Sequence, residues 1–113
     1  MKILKNKLFK SRKPETNKFH KEFVEKTFKL LYKYGITDEI NMKSCSRKMM
    51  YATKKFMQEI QSYAARGMDI EPLFVPQVQH QNDILEEFGI ADPESRDNLV
   101  VEYFALVKEM GEQ

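Results

Sequence analysis

Two histidines and one cysteine are the residues of this 113-residue chain best suited to metal or nucleophile chemistry, and their spacing argues against both. His20 and His80 fall on different expected helices with no second His or Cys at ligand spacing, so no zinc signature is present. Cys45 stands between Ser44 and Ser46 near an expected helix start, where the helix dipole can make a thiol reactive. A nucleophile also needs a positioned base, and none is near in sequence, so a buried structural Cys45 is the expectation. The carboxylates come as neighbours, Asp38-Glu39 and Glu86-Glu87, which point apart on a helix and do not converge on one reacting atom. Gly35, Gly67, Gly89 and Gly111 all fall at expected helix ends, leaving no glycine-rich phosphate loop. The expectation is a non-enzymatic protein with no cofactor and no metal.

His80 sits among Gln77, Gln79, Gln81 and Asn82, hydrogen-bonding side chains that at a helix start could read a base or a phosphate. A solvated first turn explains the same residues and is the preferred reading.

The basic residues carry the strongest functional signal. Residues 1–33 hold 11 Lys and Arg against 3 Asp and Glu, whereas residues 67–113 hold 2 against 11, so a net charge of +2 hides a dipole. Fields of one sign steer partners of the other. Lys2, Lys5, Lys7, Lys10, Arg12 and Lys13 on an N-terminal arm, with Lys18, Lys21, Arg47 and Lys48 on the first two helices, supply enough cations to engage several phosphates. Lysine dominates, which favours backbone contact over base reading, because the planar guanidinium pairs best with guanine edges. Phe9 and Tyr51 are placed where a ring could stack on a base. On the acidic side Asp83, Glu86, Glu87 and Glu94, with the aromatic Tyr103 and Phe104, form the expected surface for a protein partner.

The elements that must position these residues follow from periodicity. The expected fold is all-α, a compact bundle of about four helices behind a basic arm over 1–13, with residues 14–113 as one helical domain. That length holds a core without disulfides or metals. Phe19, Phe23, Thr27, Leu30, Leu31 and Tyr34 predict a helix near 15–34, ended by Gly35 and Ile36. Thr37 is expected to cap a short turn, and Ser44 or Ser46 a long helix near 46–66, with its stripe at Met49, Thr53, Phe56, Ile60 and Tyr63. That stripe wants a partner, the first helix or the same helix of a second copy. Residues 68–76, with Pro72 and Pro76, read as an extended crossover tucking Leu73, Phe74 and Val75 against the core. A shorter helix follows near 77–88, and Asp92-Pro93-Glu94 opens an apolar helix near 93–110 suited to the centre of the fold or a dimer seam.

Leu31 to Asp38 resembles Leu85 to Asp92. The likeness does not extend into the flanking residues, so it is taken as two helix ends meeting one capping demand.

A single cysteine excludes an internal disulfide, and the broken apolar pattern at residues 1–9 excludes a signal-peptide core, so the cytoplasm is expected. No stretch reaches the length of a membrane span. The functional expectation is a small regulatory or adaptor protein that binds a macromolecule, either nucleic acid or an acidic protein surface, with homodimerisation possible. The alternatives are a protein-binding inhibitor whose acids imitate nucleic acid, or a self-assembling component joining basic to acidic ends.

Overall fold

The computed structural model describes residues 14–111, with side chains described over residues 20–110. The basic arm, Lys2 to Lys13, and the side chain of Lys18 lie outside them. Four helices form the bundle: α1 (Pro14–Lys33), α2 (Glu39–Ala65), α3 (Phe74–Glu87) and α4 (Pro93–Gly111), with a 3-10 turn over Glu71–Leu73. The fold is all-α, as the periodicity implies.

Chain direction is reversed twice by the same device. Gly35 takes a φ of 108° and Gly89 one of 103°, a left-handed backbone that residues with a Cβ rarely adopt. This lets the Ile36 N–H donate to the Leu31 carbonyl and the Ile90 N–H to the Leu85 carbonyl, while both isoleucines fold back into the core. Two residues later an aspartate opens the next helix. Asp38 Oδ2 accepts from the Asn41 N–H at 2.9 Å, and Asp92 Oδ2 from the Ser95 N–H at 3.1 Å.

Two expectations about boundaries are corrected here. Because Asp38 supplies the cap, α2 begins at Glu39, absorbing the short turn assigned to Thr37 and leaving Ser46 buried inside the helix. The crossover is helical rather than extended: α3 starts at Phe74, and Pro76 sits in its first turn, where a missing N–H breaks no intrahelical bond. Phe74 and Val75 consequently face outward, at 44% and 77% exposure, instead of packing beneath the chain.

Each helix packs on two neighbours, in the order α1–α2–α3–α4 and back to α1, while the backbones of the diagonal pairs α1/α3 and α2/α4 stay apart. The first helix therefore has two partners, α2 and α4. Leu31, Cys45, Met49, Leu85, Leu99, Val100 and Tyr103 fill the centre. Each fully buried Leu contributes about 1.5–3 kcal/mol relative to an exposed one.

The likeness between Leu31–Asp38 and Leu85–Asp92 reaches well beyond the caps. Adding 54 to a residue number carries Thr27 to Gln81, Leu31 to Leu85, Ile36 to Ile90, Cys45 to Leu99, Ser46 to Val100, Met49 to Tyr103 and Ala52 to Leu106, all of them buried. The four other buried residues, Phe56, Gln77, Ile84 and Arg96, correspond to the half-buried Met110, Phe23, Leu30 and Met42. The same shift exchanges α1 for α3 and α2 for α4, so α1–α4 and α3–α2 are equivalent interfaces. The bundle is two helical hairpins whose contacts and buried positions follow a two-fold relation. A shared capping demand accounts for only part of the echo.

Candidate binding groove

The sorted charges of the sequence meet across the interface between the hairpins. Lys33 Nζ lies 2.9 Å from Glu102 Oε1, and Lys48 Nζ 2.6 Å from Glu87 Oε2. The two-fold shift carries Lys33 to Glu87 and Lys48 to Glu102, so these are one contact seen twice with its charges exchanged. The aromatic neighbours repeat as well: the Tyr34 hydroxyl donates to Glu102, and Lys48 lies over the Phe88 ring. Lys26 adds a third link, 3.3 Å from Glu109 on α4.

These contacts set the local electrostatics. The Tyr34 hydroxyl, then the Lys33 ammonium, hold the Glu102 carboxyl below the usual carboxylate range. The hydrogen bond to Glu102 raises Lys33 and Tyr34 in turn.

Several expected site residues are thereby relocated. Lys48, assigned to a nucleic-acid face, and Glu87, assigned to a protein-binding face, pair with each other. Lys21 and Arg47 are exposed and carry no ion pair among the described residues. Asp83 accepts from Gln79 at 2.8 Å, and Glu86 and Glu94 are exposed. Tyr103 is corrected as a partner-binding surface residue: its ring is fully buried, its hydroxyl lies 3.1 Å from Thr53 Oγ1, and burial pushes that hydroxyl up to about 12.

Phe104 belongs to a feature the sequence did not announce. Two apolar grooves flank α4 and share Val107 in their linings. One, of about 580 Å³, is lined by residues including Phe23, Met50, Tyr51, Tyr103 and Val107, with His20, Arg47 and Lys54 around it. The other, of about 450 Å³, is lined by Phe56, Met57, Ile60, Phe74, Gln77, Phe104, Val107 and Lys108. Among the described residues no carboxylate lines either groove. Tyr51, Met57 and Phe74 are 64%, 47% and 44% exposed, large apolar surface held open at the groove edges. An apolar floor with a cationic rim suits an occupant that is apolar on one side and acidic on its flanks.

Two glutamines behave unlike the solvated turn expected of them. Gln81 is fully buried, and its Nε2 donates to the Met49 carbonyl and to Thr53 Oγ1, both at 3.2 Å. Gln77, one turn earlier, is 8% exposed, and its Nε2 has no acceptor. The signal was present in the spacing, since 77, 81, 84, 85 and 88 form one helical stripe, and a glutamine on an apolar stripe turns inward.

Cys45 is fully buried, and burial, with Glu87 nearby, pushes its thiol up to about 12. Among the described residues no three His, Cys, Asp or Glu side chains gather closely enough to hold a metal ion, and no helix is long and apolar enough to cross a membrane. Comparison with protein-family models, curated proteins and solved structures gives no match.

Proposed function

We propose that this protein is a non-enzymatic helical adaptor that binds an acidic amphipathic helix of a partner protein in the grooves between α2 and α4. The observation that carries this reading is the groove composition: aromatic, Met and Val side chains with Arg47, Lys54 and Lys108, and no carboxylate among the described residues. Helix-in-groove recognition uses anchors at i, i+3, i+4 and i+7, and flanking acids complement the rim. Rim charges set encounter and partner choice more than raw affinity.

Two designed peptides sharing one Leu-rich face, one flanked by Glu and one by Lys, test the reading by NMR titration of the isotope-labelled protein. The Glu peptide is expected to shift the amides of Phe56, Met57, Val107 and Lys108 and to bind at least tenfold tighter. A Lys54→Glu/Lys108→Glu variant should reverse that order. Equal affinity for both peptides, or shifts confined to other faces, would overturn the proposal.

Phosphate-backbone binding is the second reading. It is supported by the exposed Lys21 and Arg47, which carry no ion pair among the described residues and lie on the hairpin that follows the lysine-rich residues 1–13 in sequence. Binding to a duplex oligonucleotide should then fall log-linearly with salt and vanish when residues 1–13 are removed. Salt-independent binding, or binding unchanged by the truncation, rejects it.

A further inference from the structure

The two-fold relation of the hairpins extends to the grooves, and one of the points at which it breaks indicates what the occupant carries. Met50 in the first groove corresponds to Phe104 in the second, and Lys54 to Lys108. Apolar floor and cationic rim are thus repeated. Phe23 of the first groove, however, corresponds to Gln77 of the second, so an amide stands where its counterpart is a phenyl ring.

That amide is more than nine-tenths buried and its Nε2 has no acceptor, while one turn further on the Oε1 of buried Gln81 has no donor, an arrangement that destabilises the empty groove. We infer that Gln77 determines specificity by requiring an acceptor-bearing anchor in the second groove, a side-chain carboxamide of the partner helix. A carboxamide fits better than a carboxylate, because an amide–amide hydrogen bond satisfies Gln77 without burying a charge beside Phe56 and Phe74. Lys108 at the rim remains available to the acidic flank of the same helix. Near-equivalent grooves alone would let a helix lie in either direction; one polar anchor position fixes its register and polarity.

This inference rests on the acidic-helix reading, and the experiment separates the two. Glu-flanked peptides with Leu at every anchor, and with Gln replacing each anchor Leu in turn, are titrated against wild-type protein, Gln77→Phe and Gln77→Leu. Thermal unfolding establishes that each variant is folded, and Gln77→Leu serves if the larger ring does not fit. In wild type one Gln-anchored peptide should bind about tenfold tighter than the all-Leu peptide, and both variants should reverse that order. If the all-Leu peptide binds wild type as tightly as every Gln-anchored one, the groove reading stands and the role of Gln77 falls. The same holds if the substitutions leave the preference unchanged. If no peptide binds any of the three proteins, both readings fail together.

Discussion

Enclosure sets the behaviour of Cys45. Its position between two serines suggested a helix start, yet Asp38 opens the helix and places Cys45 well inside it, against Met49. With the thiol raised to about 12, little thiolate exists at pH 8. Native protein should therefore react with a disulfide reagent far more slowly than unfolded protein, and rapid native-state labelling would contradict the enclosure. Glu102 titrates in the opposite sense. Its folded-state value is held down by Tyr34 and Lys33, so the stabilisation is present above the unfolded carboxylate value of about 4.3 and is lost as pH falls through the lower folded value. Glu102→Gln should remove that share of the acid sensitivity, read as a flatter dependence of the thermal midpoint on pH below about 5. At this scale the sequence was legible wherever a residue had one local task, as Gly35, Gly89 and Asp92 do. It misled where tertiary surroundings decided: Asp38 displaced Thr37 as the cap, and Gln77 turned inward although its neighbours Gln79 and His80 are exposed.

Helix identity and order could be read from periodicity, because apolar stripes at three- and four-residue spacing survive any tertiary arrangement. The structural repeat could not be read so directly. Equivalent positions keep burial while changing chemistry, as Cys45/Leu99, Ser46/Val100 and Met49/Tyr103 do, so residue identity fades outside the caps. Leu31 and Leu85 occupy matching sites, both fully buried one turn before a glycine cap. Leu31→Ala and Leu85→Ala should each lower stability by about 2–5 kcal/mol in urea unfolding, with values close to one another. A large difference between them would mean that the two hairpins are packed unequally.

Charge sorting has an internal explanation at the scale of the molecule. The basic hairpin and the acidic hairpin bind each other through Lys33–Glu102 and Lys48–Glu87, which consumes part of the dipole expected to face outside partners. Exposed ion pairs stabilise little individually, but like charges at both symmetry-related sites would oppose the docking of the halves. Lys33→Glu/Lys48→Glu should lower the thermal midpoint, and adding Glu87→Lys/Glu102→Lys should restore it, because the fourfold variant carries the same pairs reversed. Failure of the restoration would show that these residues act through something other than their mutual attraction. The grooves were invisible in the sequence for a related reason. Their linings combine residues of helices distant in the chain, with α2 and α4 not in backbone contact, so no local pattern encodes them.

The two-fold also makes the order of the hairpins along the polypeptide arbitrary. The segment from Arg66 to Ile70 joins the end of α2 to the turn before α3, and its symmetry mate would run from the end of α4 to the start of α1. With that link supplied, a circularly permuted chain opened near Gly67 would lead with its acidic hairpin and close the same bundle.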